Sequence, residues 1–165
     1  MAETATFRVF SRRRKALRDG TRTAHARRVL QRPARFDHGE DVRERSFRFA
    51  CRVAMFCKQL YARGGVCRVV VPQLVNCATS YAGMLEEARA AESDRDFVSK
   101  CSIGLKEIRE SHVRLRICER CGFGPADEAN TLTQEASELV AITTAILRNK
   151  KRHMAAKRDS RPSHS

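Results

Sequence analysis

The segment SDRDFVSKCSIGLKEIRESHVRLRICERCG, residues 93–122, carries the clearest structural signal in this chain. Apolar residues recur in it every three or four positions, which is the spacing of one face of an amphipathic helix. Ser93 is a favourable N-cap, and the aspartates that follow it suit the positive end of a helix dipole. The pattern therefore predicts a helix over residues 94–121, ended by Gly122. Its apolar positions are Phe97, Cys101, Leu105, Ile108, Leu115 and Cys118.

Three further stretches show the same helical spacing of apolar residues. The first covers residues 41–63, where two glycines end it, and the last covers residues 124–147 and opens with a Gly-Pro pair. The stretch between them, residues 70–91, has a proline near its start, which the first turn of a helix tolerates. The sequence CRVVV at residues 67–71 could form a strand, but it is short and no partner strand is evident, so a helix is favoured.

These stretches predict an all-α fold, an antiparallel up-down-up-down four-helix bundle over residues 41–148 with basic disordered tails. Short loops between the predicted helices favour antiparallel neighbours. The composition agrees, since 42% of the residues are hydrophobic while turn-forming glycines and prolines number only 8 and 4. The first helix has more apolar residues than one core-facing stripe requires. Its first set is Phe47, Ala50, Ala54, Cys57 and Tyr61. Its second set, which predicts a surface for self-association, is Phe49, Val53, Phe56 and Leu60.

Basic residues are concentrated at the two ends of the chain. The sequence has 33 Lys and Arg against 19 Asp and Glu, a formal net charge of +14. Residues 1–40 hold eleven bases and four acids, and residues 148–165 hold seven bases and one acid. Neither end has a sustained apolar period, so we expect a basic, mostly disordered arm over 1–40 and a basic tail over 149–165.

Basic ends of this kind typically contact the phosphates of nucleic acids, and the charge alone leaves RNA and DNA open as partners. Flexible Arg and Lys side chains meet phosphates rather than base edges, so such binding would depend only weakly on sequence. The alternatives are that the charge serves solubility alone, or that residues 1–40 arise from a start site placed too early. The candidate contact residues are Arg12, Arg13, Arg14, Lys15, Lys150, Lys151 and Arg152.

The sequence also predicts a cellular compartment. No window is apolar enough to span a membrane, and no apolar stretch follows the N-terminal arginines as it would in a secretory signal. The chain has seven cysteines, an odd number that does not suggest a disulfide framework. We therefore expect no membrane association and reduced thiols in the cytoplasm.

Cys118 and Cys121 form a C-x-x-C motif, the sharpest chemical candidate in the sequence. Such a pair can act as a redox dithiol or supply half of a zinc site. No βαβ pattern and no second pair accompany it, so structural thiols are favoured over a thiol-based redox protein. The glutamates between residues 86 and 110 lack the Glu-x-x-His motifs of a di-iron bundle. The sequence predicts no enzymatic activity, no metal and no cofactor.

An ordered set of polar and apolar residues lies between positions 86 and 124. The set consists of Glu87-Ala88, Ser93, Asp96-Phe97, Lys100, Ile103, Lys106-Glu107, Glu110, Leu115 and Gly122-Phe123. It resembles the signature of the 23S rRNA-intervening sequence proteins, also named bacterial four-helix bundle proteins. The resemblance extends over residues 41–148 and leaves both ends outside it. The family usually has Asn where Met84 stands, Tyr where Val113 stands and often Trp where Arg114 stands.

The resemblance implies a four-helix bundle without enzymatic activity that forms a homo-oligomer, a pentameric ring in known members. One relative, the accessory variability protein of diversity-generating retroelements, binds a reverse transcriptase and nucleic acid. We therefore expect a cytoplasmic, non-enzymatic, self-associating bundle that engages RNA through its basic ends. The alternatives are an accessory subunit of a reverse transcriptase-type enzyme and a helical scaffold without a nucleic-acid role. The motif residues without an assigned role are Glu87, Ser93, Phe97, Lys106, Glu107 and Glu110.

Overall fold

A computed structural model describes residues 41–159, which form four α-helices and their short connections. Helix α1 spans Val42–Arg63, α2 spans Cys67–Arg89, α3 spans Asp94–Arg120 and α4 spans Ala126–Asp159. No strand occurs among these described residues, and the prediction of an all-α four-helix bundle is confirmed. The predicted arm over residues 1–40 lies outside the described residues. It contains the candidate contacts Arg12, Arg13, Arg14 and Lys15.

The ends of the helices follow the chemistry of their capping residues. The Ser93 hydroxyl accepts a hydrogen bond of 3.1 Å from the backbone N–H of Asp96, so the predicted N-cap of α3 is confirmed. The Asp41 carboxylate accepts one of 3.0 Å from the backbone N–H of Arg43 at the start of α1. Gly64 and Gly122 follow α1 and α3 with φ angles of 74° and 66°, which glycine adopts without steric cost.

Two predicted helix boundaries are wrong. Helix α2 begins at Cys67 instead of Val70, because the first amides after the turn already bond to the carbonyls of Gly65 and Val66. Helix α4 continues to Asp159, so residues 149–159 are helical where a disordered tail was expected. This segment contains no glycine or proline, and its Lys, Arg, Met and Ala residues are strong helix formers.

Polar contacts between helices define their register. In three of the helix pairs the residue number rises on one helix as it falls on the other. The pairs are Arg45–Glu135 and Arg52–Glu128 between α1 and α4, Gln73–Arg114 and Glu87–Lys100 between α2 and α3, and Asp94–Lys150 and Glu119–Asn130 between α3 and α4.

One apolar core lies between the four helices. All four residues of the second apolar set of α1 are buried in it, whereas Phe47 and Tyr61 from the first set are 58% and 55% exposed. The prediction that the second set forms a surface is therefore wrong, because this set is the one that faces the other three helices. The largest fully buried apolar side chains are Phe49, Phe56, Leu60, Leu74, Tyr81, Ile108, Leu115, Leu132 and Leu139.

Candidate interaction surfaces

The outer face of α2 lacks charge. No Lys, Arg, Asp or Glu occurs between Val69 and Leu85, although 32% of all residues in the chain are charged. Val69 is 67% exposed, and the small or polar residues that follow it on this face are exposed as well. Loss of charge is the compositional mark of protein interfaces, whereas exposed surfaces elsewhere on a protein carry more charge.

Exposed apolar residues of α3 lie beside this face of α2. Ile103, Val113 and Ile117 are 44%, 52% and 43% exposed and share the side of α3 that borders α2. The two helices meet there through a 3.0 Å hydrogen bond that Arg114 donates to Gln73. We call this combined area the α2–α3 surface. Its defining residues are Val69, Gln73, Asn76, Ser80, Ile103, Val113 and Ile117.

The family-motif glutamates lie along the junction of α2 and α3. Lys100 Nζ donates to Glu87 Oε2 at 3.1 Å, which joins the end of α2 to the start of α3. Halfway along the bundle, Glu110 Oε2 accepts hydrogen bonds from Arg114 at 3.0 Å and from the Cys77 thiol at 3.4 Å. Burial, together with the bond to Glu110, raises the pKa of Cys77 to about 11, so this thiol stays protonated at neutral pH.

The remaining motif residues have different surroundings. Lys106 is exposed and Glu107 is half-buried, and both lie on α3 near the α2–α3 surface. Ser93 caps α3, while the ring of Phe97 lies 5.4 Å from the ammonium of Lys150 on α4. The motif therefore contributes to helix capping and to two helix junctions, and it forms no single cluster.

The three departures from the family pattern lie on or beside the α2–α3 surface. Val113 is exposed there, and Arg114 bridges α2 and α3 through Gln73. Met84 lies where α2 crosses α3, and a Cβ added to Gly104 would be 3.3 Å from the Met84 Cβ. Changes at these positions therefore alter one continuous region of the molecule.

The C-terminal part of α4 carries the second candidate surface. Residues 148–159 hold six bases and one acid, and we call this segment the basic extension. Lys150 Nζ lies 2.6 Å from Asp94 Oδ1, and this contact lowers the pKa of Asp94. Lys151 and Arg152 are exposed. Of the three candidate contacts on α4, Lys150 thus binds α3, and the other two face solvent.

A buried charged network lies between α1 and α4, and sequence reasoning missed it. The Arg45 guanidinium donates to both carboxylate oxygens of Glu135 at 2.7 Å and also to Glu138. Burial raises the pKa of Glu135, an effect that Arg45 opposes. A signal was present on α4, because Glu135 lies three residues after Leu132 and four before Leu139. Arg45 lies four residues before Phe49, in the apolar set of α1 that was taken as a surface.

The described residues contain no constellation suited to metal chemistry. Among residues 41–159 no group of three or more His, Cys, Asp and Glu side chains could hold a metal ion. All seven cysteines are free thiols, and burial raises the pKa of Cys118, the first member of the C-x-x-C motif, to about 11. A search of the described helices for one long and apolar enough to cross a bilayer finds none.

Four helices around one core define the chain as a four-helix bundle protein. It belongs to the 23S rRNA-intervening sequence protein family, whose model matches residues 40–145, and the resemblance seen in the sequence is confirmed. A crystal structure of a protein of unknown function from the S23 ribosomal protein family of Bacteroides thetaiotaomicron is similar, with 25% identity and a TM-score of 0.60. The match covers 65% of this chain and 98% of that one. None of the curated proteins matches this chain.

Proposed function

We propose that this protein is a non-enzymatic, self-associating four-helix bundle that binds RNA through its basic ends. The observation that carries the proposal is the α2–α3 surface, which is uncharged along α2 and presents three exposed apolar side chains on α3. A second copy of the chain is the occupant that we propose for it. The homo-oligomer is then held together by one face of the bundle, and the basic extension lies on a different helix from that face.

Sedimentation velocity tests the self-association directly. The variant Val69→Glu/Val113→Glu places one carboxylate on each helix of the α2–α3 surface, so we expect it to sediment as a monomer where the parent sediments as an oligomer. Phe47→Glu is the matched control, since the exposed fraction of Phe47 lies between those of Val69 and Val113 but Phe47 is on α1. A parent that is monomeric at micromolar concentration would refute the self-association. An oligomer that survives the double change but is lost with Phe47→Glu would place the interface on α1.

The RNA contact is supported by the distribution of charge. Bases exceed acids by seven in residues 1–40 and by five in residues 148–159, while the bundle between them is nearly neutral. Each phosphate that a base neutralises adds about −0.7 to the log–log salt slope on single-stranded nucleic acid and about −0.9 on duplex DNA. Basic ends that contact several phosphates therefore produce binding with a steep salt dependence.

Crosslinking and sequencing of bound RNA from cells, followed by a salt titration with the recovered RNA, tests this contact. We expect the full chain to bind with a steep salt slope and a chain lacking residues 1–40 and 160–165 to bind with a shallower one. Equal affinity and equal slope would instead assign the contact to bases that the shortened chain retains, either the basic extension or the exposed arginines of α3, which are Arg109, Arg116 and Arg120. A full chain that recovers no RNA and binds none in vitro would refute the RNA contact.

The free thiols support a reducing compartment, and we propose the cytoplasm. All seven cysteines are unpaired with one another, and Cys57, Cys77 and Cys118 are buried with raised pKa values. Structural disulfides are the usual state of cysteines in oxidising compartments. Fractionation of cells that express the full chain tests the location, with the protein expected in the cytoplasmic fraction.

A further inference from the structure

The basic extension of α4 has a regular arrangement of charge around its axis. With 3.6 residues per turn, Arg148 and Arg152 lie on one flank of an exposed face, and Lys151 and Arg158 lie on the other. The small side chain of Ala155 lies between the two flanks. All four bases are exposed, and among residues 41–159 none of them forms an ion pair with a carboxylate.

The extension is held in a defined direction by its first turn. Lys150 bonds to Asp94, the first residue of α3, and its ammonium lies over the ring of Phe97. Helix α3 has no residues beyond Asp94 on this side, so the nine residues after Lys150 extend about 14 Å past its start. The four bases therefore belong to a helix whose orientation the bundle fixes, and not to a flexible tail.

From this arrangement we infer that the basic extension binds a nucleic-acid duplex by placing its two flanks against the phosphates of the two strands. The inference rests on the proposed nucleic-acid binding and specifies its partner. A helix about 10–12 Å wide with bases on both flanks matches phosphates that line the two sides of a groove. Recognition of single strands relies on aromatic side chains that stack on bases, and residues 148–159 contain no Phe, Tyr or Trp.

The contact is expected to be independent of sequence. Phosphate contacts orient a protein on a duplex, whereas reading the sequence requires side chains that reach base edges. With Ala155 at the centre of the face, no long side chain lies between the flanks to reach the floor of a groove. Duplex RNA and duplex DNA have the same phosphate chemistry but different groove shapes. The ratio of the protein's affinities for the two duplexes therefore shows which groove shape the extension fits.

The test compares full-length variants in salt titrations with duplex RNA, duplex DNA and single-stranded RNA of one sequence. Neutralising one flank with Lys151→Gln/Arg158→Gln should weaken duplex binding about tenfold. It should also make the log–log salt slope on duplex DNA shallower by about 1.8, because two phosphate contacts are lost. Neutralising the other flank with Arg148→Gln/Arg152→Gln should have the same effect. Arg109→Gln/Arg116→Gln removes two exposed charges from α3 and should change the affinity less than twofold.

Each outcome supports or overturns the inference. A parent that binds single-stranded RNA more tightly than either duplex overturns it, as does retention of full affinity and slope in both flank variants. In both cases nucleic-acid binding, and with it the proposed function, would stand. A full chain that binds none of the three probes refutes both. Circular dichroism of each variant controls for loss of helix.

Discussion

Arg45 and Glu135 form a bidentate ion pair inside the bundle, with both N···O distances at 2.7 Å and both side chains almost inaccessible to solvent. Removing two charges from water costs free energy that their mutual attraction offsets only when the geometry is good. The two parallel hydrogen bonds meet that condition, and they fix the register of α1 against α4.

The first prediction concerns this pair. Glu135→Leu leaves the buried Arg45 without its main counter-charge and should lower the free energy of unfolding by about 3 kcal/mol. The double variant Arg45→Met/Glu135→Leu removes both charges, so it should recover most of that loss. Urea denaturation measures both values. A double variant no more stable than the single one would show that the loss has another origin.

The second prediction concerns packing on α3. Ile108 is fully buried, whereas Leu105 is only half-buried and packs against the edge of the core. Ile108→Ala should cost about 2–5 kcal/mol because it leaves a cavity, and Leu105→Ala should cost clearly less. Chemical denaturation of the two variants gives the comparison. Equal losses at the two positions would contradict the described packing.

The third prediction concerns Gly124, which precedes α4. Its φ of 85° disfavours other residues, and an added Cβ would lie 2.6 Å from Cε2 of Phe56. Gly124→Ala should therefore destabilise the protein by more than Gly65→Ala, where φ is also positive but no atom lies within 4 Å of the added Cβ. Thermal unfolding of both variants separates the steric clash from backbone strain. If the two variants lose the same stability, Phe56 does not lie against Gly124.

The fourth prediction concerns alkaline pH. Burial raises the pKa of Tyr81 from 10 to about 12, although its 2.9 Å hydrogen bond with Thr143 opposes the shift. Between pH 10 and 12 the unfolded chain loses this proton while the folded one retains it, so stability falls as the pH rises. The loss reaches at most about 3 kcal/mol and should be absent from Tyr81→Phe. Denaturation at pH 9 and pH 11.5 checks this, and an unchanged pH dependence in the variant would contradict it.

Much of the fold could be predicted from local pattern. The spacing of apolar residues in α3 and the Ser93 cap need only short-range information, and both were predicted correctly. The extent of α4 was underestimated because charge was taken as a sign of disorder, although Lys and Arg have high helix propensity. The sequence of α1 alone could not show which of its two apolar sets is buried, because the positions of the three neighbouring helices decide this.

The candidate surfaces were only partly visible in the sequence. The absence of charged residues from Val69 to Leu85 is evident in the sequence. That this segment lies beside Val113 and Ile117 depends on the register of α2 against α3, which the sequence does not give. Lys150 was grouped with its neighbours as a phosphate contact, since sequence alone does not reveal Asp94 opposite it. The tertiary contacts thus distinguish Lys150, which orients α4, from Lys151 and Arg152, which face solvent.

Native mass spectrometry of the full-length chain mixed with RNA tests the central claim most directly, because one spectrum reports both the number of copies and the bound nucleic acid. The account predicts a species whose protein mass is a multiple of 18.7 kDa and which carries RNA. A single species at 18.7 kDa without RNA, at micromolar protein and low salt, would contradict it.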